Sequence, residues 1–457
     1  MTDLIHGRIT KNLVRFAIPL FFGSLFQQLY HTVDSLIVSW FVNEDAFGAV
    51  GIATPIINVA LFLIVGVCLG AGVLIGEFFG AGDMETLRRE FSTTLLFGGG
   101  LTILISIPAF LLADPILRLF STPLPMLPDA TIYLQVTSLG MFFSFLYNIY
   151  ASSLRAVGDS KTPVVFLIVS SCLNVLLDLL FVPVFGMGVF GAALATTLSQ
   201  AISVVLCFFY TQKKVAPLRL RRKDLRIDPS LLKRTVSYSW ISAVQQCSLH
   251  LGRLLVVGAV TPLGSAAVNA YTAVGRIDAL LLIPPDNMNV TLTTFTSQNR
   301  GAGNYHRILP GYLRACTIAI GTCVLALVAQ LFFAEPLASI FLTDADSGSL
   351  PIATEYLQTI SLFYPLLGLC SVSQGFFRGM GNLKITLAAT IINVSTRVAF
   401  SYILTNVIAL RGVAFAIGLA WFLMSSFEVI TLLLLWKKSL RDQAHISKTM
   451  SNLPLEG

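Results

Sequence analysis

Apolar runs of about 20 residues or more recur along the whole chain and constrain its fold more than any other feature. A helix of this length crosses a hydrocarbon core ~30 Å thick. Hydrophobic residues make up 55% of the chain and charged residues 12%, whereas soluble domains carry roughly 25% charged residues. We therefore predict an all-α polytopic membrane protein with twelve spans. They lie near residues 12–41, 47–79, 91–113, 130–154, 162–183, 187–210, 231–260, 264–298, 308–333, 353–377, 383–407 and 412–436.

Lysine and arginine are concentrated on one side of the predicted spans. If the N-terminus is cytoplasmic, 25 of the 30 basic residues fall in cytoplasmic segments. Because basic loops mark the cytoplasmic side, we expect both termini in the cytoplasm. The formal net charge of +7 then follows from topology and contact with anionic membrane lipid, so nothing in it indicates a nucleic-acid partner.

The chain also contains an internal repeat. The GAGD sequence at residues 80–83 recurs as GAGN at 301–304, an offset of 221, and RAVGD at 155–159 recurs as RGMGN at 378–382. Each copy holds six spans, an even number, so both copies enter the membrane in the same sense. We predict two pseudo-symmetric six-helix bundles as a parallel repeat. Their expected bounds are an N-lobe at 1–211, a basic linker at 212–230, a C-lobe at 231–437 and a tail at 438–457.

The first predicted span carries a carboxylate, Asp34, in its outer third. Inserting an ionised side chain at such a depth costs roughly 2.5 kcal/mol or more, and intramembrane acids therefore mark functional sites. We expect Asp34 to face the bundle interior or a watery cavity and to have polar partners there.

Several short motifs resemble those of a known transporter family. L-x-x-F-x-x-P ends at Pro19 and Q-Q-x-Y-x-x-x-D ends at Asp34, and they precede the repeated glycine loops in a six-plus-six arrangement. This pattern is similar to the MATE (multidrug and toxic compound extrusion) transporters, in particular the bacterial branch of DNA-damage-inducible and multidrug export proteins. The resemblance implies an antiporter in the inner membrane of a bacterium that exports organic, often cationic, small compounds in exchange for Na⁺ or H⁺. The residues that it implies for the coupling ion are Asp34, Asn174, Asp178 and Thr196, with Pro19 as the bend of the first helix.

The depths of these four side chains are compatible with one site. Asp34, Asp178 and Thr196 each lie about five to eight residues below the outer end of their span, or roughly 7 to 13 Å at ~1.5 Å per residue. Asn174 and Asp178 are four residues apart and share one helix face. Carboxylate, amide and hydroxyl oxygens suit Na⁺, and a buried carboxylate next to another suits a proton.

The second copy carries opposite charge at the matching places. Asp34 aligns with Arg253 and Asn174 aligns with Arg397, so the C-lobe does not repeat the proposed cation site. Pro284 and Pro285 are expected to break the eighth span beside Asp286. Two alternatives stay open for the ionisable C-lobe residues: internal ion pairs, or contact with substrate or anionic lipid. These residues are Arg253, Arg276, Asp278, Asp286, Arg397 and Glu428.

The seven cysteines all lie in apolar spans without a C-x-x-C pair, which favours simple packing over a metal or disulfide framework. We expect no cofactor apart from Na⁺ or H⁺ as the coupling ion. Small organic substrates and membrane lipid are the expected partners, and the protein is expected to be a monomer and not an enzyme.

Rival functions remain for this architecture. A flippase for a lipid-linked saccharide or another amphiphile would share the two lobes and differ in cargo. A membrane-embedded aspartyl protease would use a G-x-G-D motif such as residues 80–83, but this motif recurs as GAGN and indicates a turn. A channel is disfavoured because polar groups at one depth of one lobe indicate a binding site rather than a lined pore.

Overall fold

The protein is described here by a computed structural model that covers residues 2–41, 44–342 and 348–451. Over these residues the secondary structure is helical and contains no β-strand. Ten helices are long and apolar enough to cross a membrane, and two bent helix pairs bring the number of spans to twelve. The predicted count and two-lobe helical fold are confirmed.

Within the described residues, fifteen α-helices build the two lobes. The N-lobe contains α1 Ile9–Phe41, α2 Glu44–Gly80, α3 Met84–Leu111, α4 Ala113–Leu119, α5 Leu127–Ala156, α6 Lys161–Leu179 and α7 Gly188–Lys214. The C-lobe contains α8 Pro229–Val260, α9 Ser265–Leu281, α10 Ile283–Gly301, α11 Tyr305–Ser339, α12 Ser349–Ser361, α13 Tyr364–Gly379, α14 Leu383–Ile408 and α15 Leu410–Ser451.

Two spans of the C-lobe are broken near prolines. The chain bends by 46° between α9 and α10, immediately before Pro284 and Pro285, where the sequence predicts a break. A second bend of 54° separates α12 from α13, which has Pro365 in its first turn. Proline has no N–H and clashes with the preceding turn, so it interrupts a helix unless it lies at the start of one. The second break was not anticipated, although Pro365 was its visible signal.

The first half of α1 packs against the C-lobe. Its buried side chains Leu13, Phe16 and Leu20 join one apolar cluster with Phe295 of α10 and Phe377 of α13. Farther along, Gly23 lies so close to Val164 of α6 that a Cβ atom there would overlap the valine side chain. The helix expected to belong to the N-lobe alone is therefore shared between the lobes.

The lobes meet most tightly at the end that carries the glycine loops and the linker, which we call the basic end. Gly80 packs on the carbonyl oxygen of Gln298, and Gly301 packs on that of Glu77. The Glu77 carboxylate accepts hydrogen bonds at 2.5 Å from both Arg234 and Arg300, so one acid of the N-lobe binds two arginines of the C-lobe. Backbone contact and shared charge together close this end.

The linker is attached to α3 at the same end. Asp228 caps α8 by accepting a hydrogen bond from the Ser230 backbone N–H at 2.9 Å, and its carboxylate pairs with Arg89. The Asp228 backbone N–H donates to Thr93 at 3.0 Å. These contacts fix the start of the C-lobe against the N-lobe.

Gly301→Ala tests the backbone contact between the lobes. The added methyl group would overlap the carbonyl of Glu77, so we expect the folded state to lose about 1–3 kcal/mol and the thermal unfolding midpoint of the purified protein to fall. Gly321→Ala in α11 is the matched control, because a Cβ atom there meets nothing within 4 Å and alanine favours a helix. Equal midpoints for the two variants would contradict the tight contact.

Asp228→Asn tests the linker attachment through its pH dependence. Hydrogen bonds from the Ser230 hydroxyl and backbone, with help from the Arg89 guanidinium, lower the pKa of Asp228. A lowered pKa stabilises the folded state above the unfolded value of about 3.9, and this stabilisation disappears as the pH falls below that value.

We therefore expect Asp228→Asn to lower the unfolding midpoint at pH 7, and the difference from the natural protein to shrink as the pH falls below about 4. Asp129→Asn is the control, since the first turn of α5 has no side-chain cap. If the difference in unfolding midpoint between Asp228→Asn and the natural protein is the same at pH 7 and pH 3, the charge of Asp228 contributes nothing to the stability of the folded state.

Candidate functional site

A polar cluster lies between α6 and α7 of the N-lobe. Asn174 and Asp178, one turn apart on α6, are 2% and 0% exposed. The Asn174 side-chain N–H donates to the Thr196 hydroxyl of α7 at 3.5 Å. The structure therefore brings Asn174 and Thr196 into contact and places Asp178 one turn along α6 from Asn174, which accounts for three of the four residues that the resemblance implies for an ion site.

Small side chains explain why these two helices approach closely. Gly191, Ala192 and Ala195 are buried along α7, and the Ser170 hydroxyl of α6 donates to the Ser199 carbonyl at 3.0 Å. Small residues and interhelical hydrogen bonds are the usual basis of helix packing in membranes. The Thr196 hydroxyl donates to the carbonyl of Ala192 at 3.1 Å, which leaves its oxygen directed toward Asn174 as an acceptor.

The fourth residue of the implied site lies on α1, which packs along α6. The side chain of Asp34 lies outside the described residues. Pro19 lies on the same helix, which continues through it from Ile9 to Phe41. The close contact of Gly23 with Val164 places α1 directly beside the helix that carries Asn174 and Asp178.

The C-lobe contains a large cavity of about 1200 Å³, walled by α2 of the N-lobe and by C-lobe helices. Arg253 of α8, Arg397 of α14, Asp278 of α9 and Asp286 of α10 all line it. Gly252 explains the approach of the two arginine helices, because its Cα packs directly on Val394. Four of the six ionisable C-lobe residues singled out from the sequence therefore share one space.

The two carboxylates of the cavity have hydrogen-bond donors of their own. The Tyr364 hydroxyl donates to Asp278, and the Ser371 hydroxyl lies 3.5 Å from Asp286. Asp286 also lies in the first turn of α10, where the helix dipole favours negative charge. Each carboxylate therefore has a neutral hydroxyl group as its hydrogen-bond partner.

The two arginines are different. Among the residues that the structure describes, neither Arg253 nor Arg397 has a carboxylate within the 4.0 Å of an ion pair, and neither guanidinium makes a hydrogen bond. The Nε atom of Arg397 is buried without a partner. The internal ion pairs left open by the sequence are therefore not observed for these two side chains.

The remaining two ionisable residues lie elsewhere. Arg276 is exposed on α9 and is not part of the cavity lining. Glu428 of α15 is fully buried and accepts a hydrogen bond from the Gln374 amide at 2.5 Å.

That glutamine belongs to a buried network which the sequence reading missed. Gln245 donates to Gln374 at 2.6 Å and to Thr390 at 3.0 Å, and Arg378 donates to Gln245 at 3.2 Å and to Asn289 at 3.0 Å. Arg378, in the RGMGN copy of the repeated motif, is only 6% exposed and lies within the bundle.

Over the described part of the chain, no group of three or more histidine, cysteine, aspartate or glutamate side chains is arranged to hold a metal ion. The N-lobe cluster instead combines one acid with amide and hydroxyl groups.

Comparison with known proteins places these features in a family. The sequence model of the MatE family matches the chain twice, over residues 19–180 and 242–403. The chain is 29% identical over 426 residues to the probable multidrug resistance protein YpnP of Bacillus subtilis (strain 168), which covers 93% of this chain and 94% of that protein.

Solved structures agree on the fold. A crystal structure of a MATE protein in complex with MaL6 superposes with a TM-score of 0.89 at 24% identity, over 95% of this chain and 99% of the other. A MOP superfamily transporter from Pyrococcus furiosus Vc1 (DSM3638), whose binding pocket has reverse polarity that suggests a different function, superposes with a TM-score of 0.87 at 24% identity, over 94% and 96%. The two sequence matches together span most of both lobes, and the chain therefore belongs to the MatE family of membrane transporters.

Proposed function

We propose that this protein is a secondary antiporter that exports organic, amphiphilic or cationic compounds in exchange for Na⁺ or H⁺. Membership of the MatE family and the likeness to a probable multidrug resistance protein support export of small molecules. The observation that carries the ion coupling is the N-lobe cluster, in which a fully buried aspartate lies one turn from an asparagine in contact with a threonine.

The proposed ion site consists of Asp34, Asn174, Asp178 and Thr196. An acid buried in a membrane protein is costly when charged, so a cation or a proton that neutralises it is strongly favoured. Na⁺ prefers oxygen ligands, and the carboxylate, amide carbonyl and hydroxyl groups of this cluster supply them. A proton would need only the carboxylates, of which the two lie on adjacent helices, α1 and α6.

The energy for export comes from the inward movement of the ion. A cation that moves across the membrane potential releases about 2.3 kcal/mol per 100 mV, in addition to its concentration gradient. This energy is useful only if the occupied site prefers a different conformation from the empty one. We assign the difference to α1, because Pro19 removes one backbone hydrogen bond from the helix and is the natural place for it to bend.

The cargo pathway lies between the lobes. At the basic end, the two lobes are held together by Gly80, Gly301 and the shared carboxylate of Glu77. Access from that side requires these contacts to separate, while the large cavity lies farther along α2 and α8. Alternating access would thus consist of opening and closing the basic end as the ion site fills and empties.

Substitutions at the ion site test this proposal in reconstituted vesicles. With an imposed Na⁺ gradient or pH gradient and a fluorescent cationic dye as cargo, we expect Asp178→Asn and Asp34→Asn to reduce gradient-driven dye transport at least about tenfold. Running each gradient in the absence of the other identifies the coupling ion.

Two neighbouring threonines of α7 provide a matched comparison. Thr196→Val removes a hydroxyl of the proposed site, while Thr197→Val removes one that donates only to the Ala193 carbonyl, at 2.9 Å. We expect Thr196→Val to raise the ion concentration needed for half-maximal transport about tenfold and Thr197→Val to leave it unchanged. Full gradient-coupled transport in Asp178→Asn would refute the ion site. Failure to transport any dye, combined with altered cell-surface glycolipid, would favour the flippase.

A further inference from the structure

The arginines of the C-lobe cavity have no role in the proposed ion site. Arg253 and Arg397 line the same space, and no described carboxylate lies within ion-pair distance of either guanidinium. A guanidinium buried in a membrane bundle is costly unless its N–H donors are satisfied at close range. Their position therefore indicates a binding partner and not a structural ion pair.

The unused hydrogen-bond donors of the cavity lining favour an anion despite the two aspartates. Asp278 is held by Tyr364 and Asp286 by Ser371, so both acids are already hydrogen-bonded within the lobe. Arg378 also lines the cavity, but its guanidinium already donates to Gln245 and Asn289. Arg253 and Arg397, by contrast, make no hydrogen bond with any described residue. An entering anion would satisfy donors that are otherwise unused.

The rest of the wall is suited to an apolar or aromatic body. Tyr271 and Trp421 line the cavity, and Phe62 of the N-lobe stacks on His250 at its side. The volume of about 1200 Å³ exceeds the upper part of the range for small-molecule sites, roughly 300–1000 Å³. The size and the lining both fit an organic molecule. The cavity volume is larger than an inorganic ion requires.

We propose that this cavity binds an organic anion, with its carboxylate or phosphate group between Arg253 and Arg397 and its aromatic or apolar body against Tyr271 and Trp421. The proposal goes beyond the export function above, because it assigns an anionic ligand to the C-lobe cavity in addition to amphiphilic or cationic cargo, and it rests on that function for its biological meaning. Guanidinium groups bind carboxylate and phosphate with two parallel hydrogen bonds, which gives the contact direction as well as strength.

Equilibrium binding to the purified full-length protein in nanodiscs of neutral phosphatidylcholine tests the proposal without any gradient. The probes share one fluorescent ring system and differ in charge: 9-anthracenecarboxylate, 9-anthracenemethanol and 9-(aminomethyl)anthracene. We expect the carboxylate to bind at least about tenfold more tightly than the amine. Arg253→Gln and Arg397→Gln should each weaken the carboxylate about tenfold and leave the neutral alcohol unchanged, which also reports that the variants are folded.

Arg276→Gln is the matched control, because this arginine lies on α9 and not in the cavity lining. Its affinity for the carboxylate should equal that of the natural protein. Tighter binding of the amine, no measurable binding of the carboxylate, or equal carboxylate affinity in the Arg253→Gln, Arg397→Gln double variant would overturn the proposal. None of these outcomes depends on ion coupling, so failure here is distinct from failure of the transport assay.

The anionic group could belong to a soluble compound or to a lipid headgroup. Repeating the measurement in nanodiscs of phosphatidylglycerol separates these sources. A lipid phosphate in the site would make the natural protein and the double variant bind the carboxylate equally in phosphatidylglycerol, while the difference persists in phosphatidylcholine. A difference retained in both lipids identifies a soluble organic anion as the occupant.

Discussion

The contact of the two glycine loops with each other's backbone is the constraint on which the arrangement of the lobes depends. Gly80 and Gly301 let α2 and α10 approach until main chain meets main chain, and Glu77 fixes the approach by binding two arginines across the contact. Because the lobes touch so closely at the basic end, their opposite parts can diverge around a cavity. A side chain at either glycine would push the lobes apart and remove the closed end that a gated pathway needs.

The two copies of the repeat have kept one fold and taken opposite charges. Packing of α1 on α6 and of α8 on α14 uses the same device, a glycine that receives a valine side chain. Near these contacts, the repeat aligns Asp34 and Asn174 of one lobe with Arg253 and Arg397 of the other. Shape is determined by small residues and apolar patterning, while the polar residues at a few positions are free to change. The proposed coupling site and the proposed anion site can therefore occupy equivalent places without competing for one ion.

Much of this fold could be predicted from the sequence because hydrocarbon imposes a simple rule. Each span must satisfy its own backbone hydrogen bonds, so length and apolarity alone identify it. The break before Pro284 was expected because proline interrupts the backbone hydrogen bonds of a helix. The bend before Tyr364 was missed because the apolar run around it is uninterrupted. The contact of Asn174 with Thr196 is compatible with the depths and the helix face derived from the sequence, while the role of these residues stays a prediction. The network of Gln245, Gln374 and Arg378 was not, because amide contacts between distant helices leave no periodic trace in a single sequence.

The division of α1 between the lobes has a mechanical consequence. Its first turns are embedded among Phe295 and Phe377 of the C-lobe, and its later turns lie against Val164 of the N-lobe. Rotation of one lobe against the other would bend this helix between the two attachments, which lie at Leu20 and Gly23, just after Pro19. A helix that is packed against both lobes limits the angle through which the lobes can rotate. Any change in its length or curvature moves both of them. The amplitude of the transport cycle would then depend on α1 as well as on the loops at the basic end.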